Sequence, residues 1–494
     1  MANKSNSGKQ LTLFNLPWPI FLIITAVVLI ATYLGVLPAG MAGCFAFMIV
    51  LGTILGWIGD HTPIIKDFLG GGAIVCIFGS ALLVYFNILP KKIGVDEETG
   101  KAIYNMFLPF ANAKGASDLV GNIGTFFKTE GGFLDWYIAA LITGSILGMN
   151  RKLLMKAAAR YFPAIFGGLI LAFALCCGVA AIMGYPVINA LLLIALPIMG
   201  GGMGAGATPL SKIFETSSSM SAAEALSVMT PAVAIGNAVS IVLAGILVKV
   251  ISGKLNGKGQ LMHSGSIDPK ELEISPEMQA KRDNLSLANL GIGLLTSGAF
   301  FAWGFILAGV WKALVPSITI HAYAWMIITV AICKIANIMP ERIEIACYQW
   351  FQFIMKNLTN MLLVGIGICY LDIGTVISSF SITYLLLCAA TCIGAFVGAA
   401  VVGKFVGFYP FESGITAGLC MSNMGGTGDV AVLSAADRME LMPFAQISSR
   451  LGGAIILLIA SLMLSVLAQF IVTSNPEAAQ AALRTVVDAA KALG

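Results

Sequence analysis

Apolar runs of about 20 residues, long enough to cross a bilayer as helices, recur from one end of this chain to the other. They lie near 17–36, 38–58, 69–89, 134–149, 162–185 and 229–250, and again near 287–310, 321–339, 358–379, 381–403 and 452–472. Composition agrees with that reading: 58% of residues are hydrophobic, 11% are charged, and the mean hydropathy is +0.92. The expectation is an all-α polytopic membrane protein with about 11 transmembrane helices. Glycine supplies 55 of 494 residues, which suits helices that pack closely in lipid. The net charge of +4 implies no nucleic-acid partner, because Lys and Arg lie mostly in loops; membrane lipids are the expected surroundings. The ten cysteines lie almost all within or beside apolar runs, in no metal-binding or disulfide spacing, and read as small packing residues. The polar N-terminus, with Lys4 and Lys9, reads as an uncleaved start.

Two further apolar stretches, 187–210 and 409–435, are interrupted by proline and glycine and carry a repeated word: Gly201-Gly202-Met203-Gly204 and Gly425-Gly426-Thr427-Gly428. Bare backbone at membrane depth is tolerated where it is buried in protein or lines a cavity, so both stretches read as re-entrant GGxG hairpins forming halves of one binding site. The bland alternative is tight helix packing through pairs such as Gly200 and Gly204 or Gly202 and Gly206. Duplication, the triple glycine and the adjacent Pro209 and Ser211 favour the hairpins.

Basic loops set the orientation. Arg151, Lys152, Lys156 and Arg160 place the loop after the fourth span inside, which puts the N-terminus and the polar segment 251–286, with Lys254, Lys258, Lys270, Lys281 and Arg282, inside as well. The C-terminus and the long segment 90–132 then fall outside. With the first span set aside, each side of 251–286 holds five spans and one hairpin. An odd number of crossings inverts the second unit relative to the first, giving two inverted five-helix repeats. The expected organisation is 1–37 (N-terminus and first helix), 38–250 (first repeat), 251–286 (cytoplasmic linker), 287–472 (second repeat) and 473–494 (tail).

Chemistry concentrates around the second word. Thr427 lies within it, Asn423 and Asp429 flank it, and Gln446 to Gly453, with Ser449 and Arg450, follows shortly. Arg450 either clamps an anionic substrate bidentately or anchors a helix end at the headgroups. Asn423, Thr427 and Ser449 offer oxygens to a small hard cation such as Na⁺ or cap the hairpin. Asp429 serves ion or proton coupling or caps the helix that follows it. His61, His263 and His321 are scattered and form no metal cluster, and no paired Asp, His with Glu, or Ser with Lys is convincingly placed for an intramembrane enzyme. Transport is therefore the expected function, and no cofactor is expected beyond Na⁺ or H⁺ as a coupling ion.

The two glycine words, the run Cys420-Met421-Ser422-Asn423, the stretch Asp429 to Met442, Gln446 to Gly453, and Tyr137 to Arg151 resemble the 2-hydroxycarboxylate transporter family, which includes sodium/citrate symporters and malate or citrate carriers. That resemblance implies a homodimer of inverted-repeat protomers in the bacterial cytoplasmic membrane, working by an elevator-like movement. It implies that Gly201, Gly202, Met203, Gly204, Met424, Gly425, Gly426 and Thr427 line the substrate site and that Arg450 holds a carboxylate. Ion ligands would map to Ile198, Gly201, Cys420, Met421, Asn423, Thr427 and Ser449, several through backbone carbonyls. Met203 stands where the sodium/citrate pattern has an asparagine, and Met424 where it has a second arginine. One cation fewer favours malate or a smaller 2-hydroxy acid, while citrate remains open. Symport with Na⁺ or H⁺ and exchange are both compatible with it. The alternative is a general mono- or dicarboxylate carrier indifferent to the hydroxyl.

Overall fold

A computed structural model describes residues 12–63, 65–66, 71–96, 101–111, 117–127, 132–149, 151–218, 220–251, 255–261, 276–315, 320–379 and 381–467, with the side chains at 152–160, 204, 205, 375, 378, 379, 426, 427, 440, 443, 446, 450 and 451 outside that description. The described chain is mostly helical. Among the described residues, six helices are long and apolar enough to cross a membrane: Met41–His61, Tyr161–Ile182 within a longer helix, Ala222–Val250, Leu287–Leu314, Glu341–Tyr370 and Ile382–Phe405. Shorter apolar helices include Trp18–Leu34, Gly72–Tyr85, Phe133–Leu147, Ala322–Ile335 and Gly453–Leu467. These correspond to the expected runs, with boundary shifts that have local causes. The run at 358–379 takes in the apolar end of a helix that starts at Glu341 and ends at Tyr370, and the separate short helix Ile373–Ser379. The helix expected from 229 starts at Ala222, because Ser221 and Glu224 form a capping box that satisfies the first-turn N–H groups.

The chain divides into two compact units. The first comprises Met1–Lys66, Gly71–Asp135 and Met355–Ile373. Its helices pack through glycine: a β-carbon at Gly52 would stand 2.8 Å from the Asn360 carbonyl oxygen, and the Ser80 hydroxyl donates to the Val364 carbonyl at 3.0 Å. Trp18–Leu34 ends at Gly35, whose left-handed φ of 78° turns its N–H back onto the Ala31 and Thr32 carbonyls. The described parts of the long segment 90–132 carry secondary structure of their own. Lys92–Val95 pairs antiparallel with Ala102–Tyr104, and Leu119–Phe127 is an amphipathic helix burying Leu119, Ile123, Phe126 and Phe127. With a second small pair, Thr12–Leu13 with Leu16–Pro17, these strands qualify the all-α expectation.

The second unit comprises Asp67–Gly70, Trp136–Ile354 and Gly374–Gly494. At its centre Arg151–Ile182 lies along Ile382–Phe405. A β-carbon at Gly394 would meet the Leu171 carbonyl oxygen at 2.6 Å, and Gly398 faces Gly167 still more closely, so these backbones approach as only small residues allow. Both broken stretches belong to this unit.

A candidate transport site between two glycine breaks

The first broken stretch is the helix Val187–Ile198, which contains a π-helical turn at Ala190–Ala195, then a break, then a π-helical turn at Met203–Ala207 running into helix Thr208–Ser217. The break is built on Gly201 and Gly202, with φ of +75° and +110°, values that L side chains rarely adopt. The return arm extends past the expected end at 210. Ser211 and Thr216 sit inside that helix with their hydroxyls donating to the Thr208 carbonyl (2.8 Å) and the Ile213 carbonyl (3.0 Å), which lowers the cost of burying their polar groups. The second stretch repeats the plan: Pro410–Ser413, a π-helical turn at Gly414–Leu419, a break ending at Gly425 (φ +73°), and helix Gly426–Ala435. Pro186 and Pro410, Ala190 and Gly414, and Gly201 and Gly425 keep one common separation along the chain.

The breaks touch. A β-carbon at Gly202 would stand 2.6 Å from the Met424 carbonyl oxygen, one at Gly425 3.0 Å from the Gly201 carbonyl oxygen, and one at Gly453 2.8 Å from that of Gly200. A side chain at Gly201 would run into the carbonyl of Ser449. Glycine therefore serves both readings of the word: positive φ within each break, and close backbone approach, both between the breaks and, with Gly206 against Gly200, across the first one. Met203 is buried beside this contact and Met424 is half-buried.

Around the second break runs a side-chain network. Asn423 Oδ1 accepts the Gly425 N–H at 2.6 Å, its Nδ2 donates to Asp429 Oδ1 at 3.0 Å, and Asp429 Oδ2 accepts from the Ser449 hydroxyl at 2.6 Å. That hydroxyl also lies 3.3 Å from the Cys420 carbonyl and 2.9 Å from the Ala445 carbonyl; it has one proton to give, and the carboxylate is the nearest acceptor. Asn423 and Asp429 are fully buried and Ser449 is nearly so. Asp429 is not the cap of the helix: that helix starts at Gly426, and Asp429 lies within its first turn, donating its own N–H to the Gly425 carbonyl.

Asn423, Asp429, Ser449, Cys420, Gly201, Gly202, Met424 and Gly425 thus come together. Ile198 is fully buried where the first arm ends and faces Gly236. Met421 is buried against Gly452. Gly426 opens the second helix. Arg450 lies on the π-helical turn Ser448–Gly452, directly after Ser449; its side chain and those of Thr427 and of position 204 fall outside the described residues. The histidines stand apart. His61 stacks on Trp57, and His321 caps helix Ala322–Ile335 by accepting the Tyr323 N–H at 3.2 Å. His263 is outside the described residues.

Two features escaped the sequence reading. Asn237 and Ser240, both fully buried on helix Ala222–Val250, back the second break. Their signal was two polar residues a turn apart in an apolar helix. Glu412, also fully buried, pairs with Arg438 (Nε to Oε1, 3.3 Å) and accepts the N–H groups of Gly257 (2.8 Å) and Gly259 (3.2 Å). Arg438 further donates to Asn256 Oδ1 at 2.9 Å. This clasp ties both feet of the second broken helix to the start of the linker. It joins residues distant in sequence, and no local pattern marks it.

Touching broken helices among apolar helices are the architecture of a multi-pass membrane protein, and the family and relatives it matches are transporters, not enzymes. Sequence comparison gives the class its family: residues 13–462 match the 2-hydroxycarboxylate transporter family, and the chain belongs to it. The chain is 34% identical to the citrate/sodium symporter of Salmonella dublin, over 94% of this chain and 98% of that one. It is 34% identical to a malate transporter of Lactococcus lactis (92% and 98%) and 36% identical to the Na(+)-malate symporter of Bacillus subtilis (91% and 92%).

Proposed function

We propose that the protein is a secondary active transporter of 2-hydroxycarboxylates, malate or citrate, across the bacterial cytoplasmic membrane. The contact between the two breaks carries this reading. It brings the N-terminal ends of two helical segments, beginning at Met203 and Gly426, to one place, where unpaired N–H groups and the helix dipoles favour a carboxylate. Arg450, one residue beyond Ser449, supplies the cation that clamps it, and Gly204 and Thr427 complete the lining. Met203 and Met424 at the breaks favour malate over citrate, since each offers a thioether where a third carboxylate would need a charged or polar partner.

Coupling is assigned to a cation, Na⁺ or H⁺, or to substrate exchange. The Asp429 carboxylate, the Ser449 hydroxyl and the Cys420 carbonyl are oxygens of the kind a hard cation takes, and the carboxylate is equally a place for a proton; Ile198, Gly201, Met421, Asn423 and Thr427 complete the set. The common spacing of the broken stretches supports two inverted repeats, and with them an elevator-type movement in a homodimer, with the N-terminus and the 251–286 linker cytoplasmic and the C-terminus outside. The runner-up is a mono- or dicarboxylate carrier that does not require the hydroxyl. Purified protein in proteoliposomes, offered labelled malate, citrate, succinate and lactate under imposed Na⁺, proton or counter-substrate gradients, decides among these. Malate uptake that succinate competes for equally would favour the runner-up, and absence of gradient-driven or exchange uptake of every acid would sink the reading.

A further inference from the structure

Helix Ala222–Val250 precedes the second broken stretch by well over a hundred residues, yet one of its faces touches both breaks. Gly236 lets Ile198, at the end of the first arm, come within 3.0 Å of where a β-carbon would stand, and the Ser422 carbonyl oxygen within 3.3 Å. One residue on, Asn237 Oδ1 accepts the Met424 N–H at 3.1 Å. One turn further, the Ser240 hydroxyl lies 2.9 Å from the Ser422 hydroxyl and 3.3 Å from the Ser422 carbonyl oxygen. The next glycine of the word fits the same side chain: a β-carbon at Gly428 would stand 2.7 Å from Asn237 Oδ1.

These contacts divide the amides of the second break. The Met424 N–H goes to Asn237 and the Gly425 N–H to Asn423. Neither is then left to bind an anion, and the donors that remain begin at Gly426, where the helix opens. Without an acceptor at 237, the Met424 N–H would be a half-buried donor needing another partner, and the flexible Gly425-Gly426 pair would let the segment rotate to find one.

We propose that Asn237 is a positioning residue for the transport site: its side-chain carbonyl fixes the Met424 amide, so that the helix opening at Gly426 points its first N–H groups at the substrate. The proposal rests on the transport reading only for its effect on affinity; its effect on the break is independent of substrate. Hydrogen–deuterium exchange of the 419–429 segment in lipid nanodiscs tests the second point, and binding of labelled malate tests the first. In the wild type the Met424 amide should be among the slowest of the segment to exchange. Asn237→Leu, of similar volume, should speed its exchange at least about tenfold and weaken malate binding by a similar factor, with the maximal uptake rate within about threefold. Asn237→Asp, which keeps the acceptor, should restore slow exchange. Fast exchange at Met424 in the wild type overturns the proposal without any variant. Equal exchange in wild type and Asn237→Leu also overturns it, as does altered exchange with unaltered malate affinity. If the wild type binds none of the acids, the transport reading falls, and the exchange result still decides whether Asn237 holds the break.

Discussion

The first broken helix is held by bulk and backbone, the second by charges and hydrogen-bonded side chains. In the first, Ile198, Met199, Leu210, Ile213 and Phe214 are fully buried apolar residues, and its polar side chains mostly bond their own helix. In the second, Asn423, Asp429 and Ser449 form a buried chain of hydrogen bonds at the tip, and Glu412 with Arg438 closes the base. Both use a π-helical turn ahead of the break and positive-φ glycine within it, two residues in the first (Gly201, Gly202) and one in the second (Gly425). Shared backbone geometry therefore accounts for the shape of the site, and side chains on one side only account for its chemistry. A site asymmetric in this way needs just one of its two halves to discriminate substrates.

The largest expected effect lies at the base of the second stretch. Glu412→Ala would leave the nearly buried Arg438, and two half-buried backbone N–H groups, without their carboxylate, which costs about 4 kcal/mol, read as a lowered denaturation midpoint of purified protein. An unchanged midpoint would show that the clasp contributes nothing and that the two stretches differ only at their tips. Gly201→Ala comes next, at about 3 kcal/mol from strained φ and collision with the Ser449 carbonyl. It should abolish uptake, and its test is the same midpoint with transport alongside. Arg450→Ala should leave the fold intact and reduce malate uptake by about 100-fold, the loss of a charge-assisted clamp. Uptake within a few-fold of wild type would return Arg450 to the role of a membrane anchor.

Much of this asymmetry was legible in the sequence, and the part that was not has a physical explanation. Apolar runs and glycine words report local requirements, helix length and backbone freedom, so the helices and both breaks followed from them. Asn423, Thr427, Ser449 and Arg450 stood out because polar residues beside an interrupted apolar stretch are costly unless used. The first return arm runs on to Ser217, past the expected 210, although Lys212, Glu215 and Thr216 are polar, because Thr216 bonds within its own helix and Lys212 reaches Glu215. Asp429 is expected either as a cap or as a coupling group; its place inside the first turn of helix Gly426–Ala435 excludes only the cap. Asn237 and the Glu412–Arg438 clasp depend on tertiary contacts between segments far apart in the chain, which periodicity does not encode.

Smaller effects sharpen the comparison at its tips. Asp429→Asn keeps a hydrogen-bonding side chain and removes the charge. If the carboxylate takes part in coupling, the cation concentration for half-maximal uptake should rise by about tenfold, with folding little affected. Unchanged cation dependence would limit Asp429 to ordering Asn423 and Ser449.

The smallest effect is expected from the first stretch's own ion pair. Lys212 and Glu215 lie 3.1 Å apart one turn along the return arm, but the Glu215 side chain is 42% exposed, whereas that of Glu412 is 0% exposed. Water solvates an exposed carboxylate whether or not its partner is present, so such a pair contributes roughly 0–1 kcal/mol. Glu215→Gln should therefore leave the midpoint and malate uptake close to wild type, against the large loss in Glu412→Ala. A comparable loss in both would mean that this pair is shielded from solvent during transport, and that the first stretch has a charged element as consequential as the second.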